Sequence, residues 1–381
     1  MARVLFIASL QSEPRVLGMA GAAREEGHAV HVLEWDRTGE LPATEFKNGI
    51  FFLRYKRASK FGLKAFPHFF NWILFQILHL MRNDYDVIHP QNLDSLMPTL
   101  FSIYLKRRRK NVRIIYDIAD FYADAYLNFP VVRNIVAQLE RALARNVEAL
   151  TLVSPKQLIQ LRGSTPSRVE VVYNSPMSAL KEYAEPDTPR GRLRLVYVGT
   201  FDRYRARYLE RIAEILEGLP VELAIYGFGE FEGKIRELSE RFSSHVRFFG
   251  RIKPHRVQDA FLGADLVISY LDPRESPNHA VALPNKFLHS LSVGRPVLVA
   301  EGTYLAELCR SYGVGISVDI WDEDSVSSLI RALRELSEDK GPLVEMGKRA
   351  LHLFNELFSW ERARGRYVSL LREVLGTRCS D

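Results

Sequence analysis

Cysteine is almost missing from this chain. Its two copies, Cys309 and Cys379, lie far apart, which excludes a disulfide framework and a thiolate metal site and makes a reducing cytoplasm the expected compartment. Long apolar runs are missing as well. The longest, Phe69 to Met81, is interrupted by Asn71, Gln76 and His79, so it is too short and too polar to span a bilayer. The N-terminal MARVLFIASL lacks the long apolar stretch of a signal peptide and reads as a first β-strand. No helix-turn-helix pattern, zinc-ligand spacing or RNP-like strand is found. Nucleic acid is therefore not an expected partner, and no metal is expected. An acidic balance is also absent. The formal net charge is +6, a mild excess that suits anionic substrates or an anionic membrane surface.

What is present is length, apolar content and alternation. The 381 residues are 47% hydrophobic and 26% charged, the profile of a soluble globular protein with more chain than one core accommodates. Short β-branched runs alternate with helical periodicity through both halves, which predicts parallel sheets covered by helices on both faces. The segment SALKEYAEPDTPRGR, 178–192, is dense in breakers and charge and is the best linker. The expected organisation is an N-terminal domain over 1–177, a linker over 178–192, a C-terminal domain over 193–358 and a final helix over 359–381. In such doubly wound folds, ligands bind beyond the carboxyl ends of the strands.

The stretch ALPNKFLHSLSVGRPVLVA, 282–300, carries a local chemical signal. Pro284 suits a helix start, Phe287, Leu288 and Leu291 share one helical face, and Gly294 with Pro296 ends the helix before an apolar strand. Lys286 then sits in an electropositive first turn, a plausible anion site. The alternative is a surface lysine on an ordinary βαβ unit.

These motifs, in this order, resemble a family. YDVIHPQNLDSLMP, IIYDIADFYAD, LTLVSPKQL and VVYNSP in the first half, then LVYVGTF, LAIYGFGE, VRFFGRI, GADLVISYL and LPNKFLHSLSVGRPVL in the second, resemble glycosyltransferase family 4 of the GT-B architecture. The resemblance implies two Rossmann-like domains facing a central cleft, with the C-terminal helix returning toward the N-terminal domain. It implies transfer of a sugar from a UDP- or GDP-sugar to a glycan or lipid-linked acceptor, with retention and without metal. The nucleotide-sugar is a co-substrate, and no cofactor is implied. The donor would bind the C-terminal domain and the acceptor the N-terminal one. Without a metal, cations and helix starts must stabilise the leaving diphosphate. The donor-binding residues implied are Gly199, Arg203, Arg205, Gly227, Phe228, Arg251, Asn285, Lys286 and His289. Arg15 falls on the phosphate or acceptor side.

The chain also departs from that family. Two signature glutamates are replaced, by Val281 and His289, and the histidine expected at position 119 is alanine. Polar work near the reacting centre then falls to Asp120, Asp117 or His89, with Asp120 the first choice and an N-cap role its alternative. Loss of the carboxylates also leaves open a catalytically inactive nucleotide- or glycan-binding partner of another transferase, or another GT-B activity such as epimerisation. Two segments, 56–82 and 105–113, are apolar-aromatic and basic, and suit peripheral contact with the inner face of a membrane. The alternative for the first is a buried helix over 69–81.

Overall fold

The computed structural model describes residues 1–58, 66–106, 112–127, 129–189 and 191–376. Parts of the segments 56–82 and 105–113, and Cys379, lie outside the described residues. The chain divides into two compact units. One comprises Met1–Asn174 together with the chain from Glu361 on, and the other Ser175–Trp360.

The first unit runs β1 (Arg3–Ala8), α1 (Pro14–Glu25), β2 (Ala29–Asp36), β3 (Thr44–Lys47), β4 (Ile50–Lys56), α2 (Phe66–Arg82), β5 (Val87–Pro90), α3 (Leu93–Leu105), β6 (Arg113–Ile118), α4 (Tyr122–Tyr126), α5 (Pro130–Ala144), β7 (Ala149–Leu152), α6 (Gln157–Leu161) and β8 (Val169–Val171). Its strands form one sheet in the order β3-β4-β2-β1-β5-β6-β7-β8. All neighbours pair in parallel except β3 with β4. That antiparallel hairpin turns at Asn48-Gly49, both at positive φ, the backbone a tight two-residue turn requires. Strands buried on both faces need apolar side chains on both, and Val4 to Ala8 is apolar throughout and essentially inaccessible.

The second unit runs β9 (Leu193–Thr200), α7 (Arg203–Ile215), β10 (Val221–Phe228), α8 (Glu232–Arg241), β11 (Val246–Gly250), α9 (Val257–Leu262), β12 (Leu266–Ile268), α10 (Pro277–Val281), α11 (Asn285–Ser292), β13 (Val297–Ala300), α12 (Tyr304–Tyr312), β14 (Gly315–Val318), α13 (Glu323–Glu338) and α14 (Gly341–Leu353). Its sheet is wholly parallel, in the order β11-β10-β9-β12-β13-β14. The strand order reverses between β9 and β12. Successive connections leave from opposite directions there, and a crevice opens beyond the carboxyl ends of the two strands. In the first unit the same reversal falls between β1 and β5. The final helix, α15 (Trp360–Gly376), packs on the first unit, where Arg364 and Arg372 bond Glu25 and Glu26.

The 178–192 segment is not a free tether. The Leu180 N–H donates to the Ser292 carbonyl, Arg295 to the Ala184 carbonyl and Thr188 to Asp265. Its breakers prevent regular structure, but these bonds fasten it along the second unit. The apolar helix of 69–81 also differs from expectation. Trp72, Gln76 and Leu80 on α2 are buried, while Phe70, Leu74 and Leu78 are exposed. It is a surface helix with apolar residues on both sides.

Candidate functional site

In the second unit the geometry centres on Lys286. Pro284 is extended and stands just before α11, so Lys286 falls in the first turn, and no side chain caps that helix start. Its uncapped N–H groups and dipole favour an anion. Lys286 is no solvated surface lysine. Its ammonium lies 4.1 Å from the centre of the Tyr197 ring, close against Gly199, where a Cβ would stand 3.1 Å from Nζ. Among the described residues it makes no ion pair or hydrogen bond. Burial pushes its pKa well below the usual lysine range. Arg205 adds a like-charge push, and Asp202 partly offsets it. A half-buried ammonium against an aromatic face, at an uncapped helix start, has the chemistry to receive an anion.

The backbone around it is packed closely. At Gly227, with φ of 151°, a Cβ would fall 1.8 Å from the Gly199 carbonyl oxygen, and Gly199 itself admits none beside Tyr197. These glycines let β9 and β10 end flush beneath the crevice. His289 lies one turn beyond Lys286 on the same face of α11. Its Nδ1 is buried without a hydrogen-bond partner, and burial lowers its pKa. Asn285 is exposed at the same helix start. Arg251 stacks on Phe228 at 4.3 Å from the ring centre, forming an exposed planar pair at the ends of β10 and β11.

The two candidate arginines of α7, Arg203 and Arg205, diverge. The Asp202 carboxylate accepts from the Arg205 N–H at 2.8 Å and pairs with its guanidinium. Arg205 thus stays by the crevice. Arg203, nearly half a turn away, opens onto a groove of about 630 Å³ lined by α8 residues including Lys234 and Glu237, and is not gathered with Lys286. Glu275 accepts from Arg207, which lies over the Trp321 ring at 4.6 Å. Tyr197, Asp202 and Trp321 were not singled out in the sequence. An Asp just before a helix is a readable cap signal, whereas a strand tyrosine standing beneath a lysine is set only by the sheet.

In the first unit the expected residues separate into interior and surface. The Asp117 carboxylate accepts from Arg15 Nε and Nη2 at 2.9 and 2.7 Å, from Thr151 at 2.7 Å and from Gln91 at 3.2 Å. Arg15 also donates to the Val172 carbonyl, and both side chains are at most 1% exposed. Burial pushes Asp117 up, but the Arg15 charge and hydrogen bonds outweigh it and hold the carboxyl below its ordinary value. Arg15 and Asp117 are thus an internal ion pair that ties α1 to β6, not groups offered to a ligand. His89 is also interior, stacked on Phe6 at 4.9 Å. Burial lowers its pKa to about 4 against a partial upward pull from Asp117.

Asp120 alone of the three candidates keeps some exposure. Its carboxylate accepts from the Tyr126 hydroxyl at 3.0 Å. Its N–H and that of Ala119 both donate to Asn92 Oδ1 at 3.1 Å, so the loop after β6 is fixed by the loop after β5. Asp120 does not cap α4, whose N-cap is Phe121 with no side-chain bond. Nearby, Glu13 has its carboxyl pushed up by burial first and by Asp117 second. No spacing in the sequence marked it. Among the described residues no group of three His, Cys, Asp or Glu could hold a metal ion.

Residues 12–175 match the family described as glycosyl transferase 4-like domain, and residues 192–339 match glycosyl transferases group 1. No curated protein sequence matches the chain. Solved structures do. A sucrose-phosphate synthase from Thermosynechococcus elongatus is 15% identical, over 99% of this chain and all of that one, with a TM-score of 0.77. HepE from Anabaena, solved with UDP and glucose, is 13% identical over 98% of this chain and all of its own, at 0.67. WaaG, a glycosyltransferase of lipopolysaccharide biosynthesis, is 17% identical over 96% of this chain and 99% of its own, at 0.66. At such identities these likenesses concern the fold, while the two family matches together span most of the sequence. The chain therefore belongs to the glycosyltransferases of the GT-B fold, a transferase built as a glycosyl transferase 4-like domain followed by a group 1 domain.

Proposed function

We propose that the second unit binds a UDP- or GDP-sugar with its diphosphate on Lys286 and the start of α11, and that the sugar passes, with retention and without a metal, to a glycan or lipid-linked acceptor held by the first unit. One observation carries this reading: the half-buried Lys286 ammonium over Tyr197, without an ion pair among the described residues, at the switch point of a Rossmann-like sheet. A bound diphosphate favours the charged form of Lys286, and that cation then stabilises the charge developing on the leaving group. Arg205 adds a second cation, the His289 imidazole one turn along α11 is the candidate partner for a ribose hydroxyl, and the Phe228–Arg251 pair offers a plane for the base. HepE, solved with UDP-glucose, supports a uridine donor among the choices. Asp120 is the acceptor-side carboxylate of this scheme. Among the described residues no helix is long and apolar enough to cross a membrane. A lipid-linked acceptor would then be met by peripheral contact of the first unit at the inner face of the membrane.

Thermal melting with UDP, GDP, ADP and their sugars tests the donor half. A ligand at a hundredfold its Kd stabilises the folded state by about 2.7 kcal/mol, a readily measured shift. One nucleotide and its sugar should raise the melting temperature. No shift with any of them at millimolar concentration would sink the proposal. The anomeric configuration of the product, read by NMR, tests retention.

A further inference from the structure

One face of the first unit is apolar in a way that its core does not require. Helix α3 lies between α2 and α5 and touches both. Its exposed residues are Met97, Phe101, Tyr104 and Leu105 and no others, with Tyr104 at 77% exposure. Those positions recur at intervals of three and four, so they form one outward stripe. The neighbouring helices repeat it. Leu74, Leu78 and Met81 are exposed on α2, and Val131, Ile135 and Leu139 on α5. Three adjacent helices thus turn apolar stripes outward, whereas a soluble monomer normally scatters such residues singly.

The exposed charges on these three helices have one sign. Across α2, α3 and α5 there are only two carboxylates, Asp94 and Glu140, and both are buried. Arg82 and Arg145 are exposed at helix ends and Arg133 is half-buried between the apolar residues. Lys106, just beyond α3, pairs with Asp84 at 3.2 Å. An isologous dimer would set these arginines against their own copies with no exposed carboxylate on the three helices to answer them. A surface of anionic lipid headgroups answers them and also receives the apolar stripes at the acyl boundary.

We propose that the outer face of α2, α3 and α5 is the surface by which this protein lies on an anionic bilayer. This rests on the peripheral contact proposed above and narrows it. The contact belongs to three helix faces, α5 among them, which the segments 56–82 and 105–113 do not include.

The test is co-sedimentation of the full chain with phosphatidylcholine vesicles, with and without phosphatidylglycerol. The triple variant Leu74→Gln, Phe101→Gln, Ile135→Gln is run beside the wild type. All three side chains are about half exposed or more, so its melting temperature and nucleotide-induced shift should match the wild type's. The wild type should bind phosphatidylglycerol vesicles, less at high salt, and the variant should partition about tenfold more weakly or worse. Equal partitioning of the two proteins would overturn the assignment of this face. A wild type that stays in the supernatant, or that light scattering shows as a dimer broken by the triple variant, would overturn the membrane occupant. A nucleotide shift without vesicle binding sinks this inference alone. Vesicle binding with no nucleotide shift sinks only the donor reading.

Discussion

Replacing Lys286 by Met should move two measurements in opposite directions. The ammonium sits over Tyr197 and beside Gly199 with no ion pair among the described residues, and burial together with Arg205 disfavours its charge. Met fills similar space without a charge, so the melting temperature of the unliganded protein should stay level or rise. Nucleotide binding should instead fall. A hydrogen bond to a charged group contributes about 1.5–3 kcal/mol, which is about a 10- to 150-fold rise in Kd at about 1.4 kcal/mol per tenfold. Isothermal titration with whichever of UDP or GDP stabilises the wild type reads that change. A pH series adds an independent arm. With its pKa lowered in the free protein, Lys286 loses its proton at lower pH than an ordinary lysine would. Wild-type affinity should therefore decline at alkaline pH while that of Lys286→Met stays flatter. A variant that binds nucleotide within twofold of wild type, or that melts lower with binding unchanged, would refute the reasoning.

Four further outcomes follow from packing and charge. Arg15→Met leaves the Asp117 carboxylate buried without its cation and should cost about 3–5 kcal/mol in urea unfolding, with Asp117→Asn in the same chain restoring part of it. Gly227→Ala would drive a Cβ into the Gly199 carbonyl and should leave the protein poorly soluble or cooperatively weakened. Gly233→Ala on α8, whose Cβ meets nothing, should melt at or above the wild-type temperature. His89 has a folded-state pKa of about 4 against 6.5. Its neutral form is the favoured one in the fold, so its contribution is intact above pH 6.5 and is lost as pH falls toward 4. Between pH 7 and pH 5 that loss is about 2 kcal/mol. His89→Phe, which keeps a ring on Phe6 but cannot titrate, should lessen the acid destabilisation by that amount in paired denaturation curves.

The pattern of apolar runs and breakers was enough to identify two parallel α/β units, because a strand covered on both faces must be apolar throughout, as Val4–Ala8 and Val297–Ala300 are. The helix start at Pro284 and the left-handed Gly294 were equally legible, since proline and glycine restrict or free the backbone wherever they stand. So was Lys286, from its place in a first helical turn. The hairpin at Asn48-Gly49 carried a readable turn signal that the apolar runs around it obscured.

Other features depend on residues distant in sequence. Arg15 and Asp117 look alike to a sequence reader as cleft residues, yet 102 positions apart they close on each other and leave the solvent. Arg203 and Arg205 look like one basic pair, but a helix turns about 100° per residue and sends them to different surfaces. Tyr197 meets Lys286 only because β9 and α11 are brought together across the sheet. Composition could show that the second helix was apolar. Only the packed structure could decide that α3 and α5 stand beside it with apolar residues also facing out. Local backbone preference and periodicity are properties of neighbouring residues, so the sequence determined the elements and the helix-start lysine. Burial, charge pairing and the shared face of three helices are properties of distant residues made adjacent, and the tertiary structure decided those.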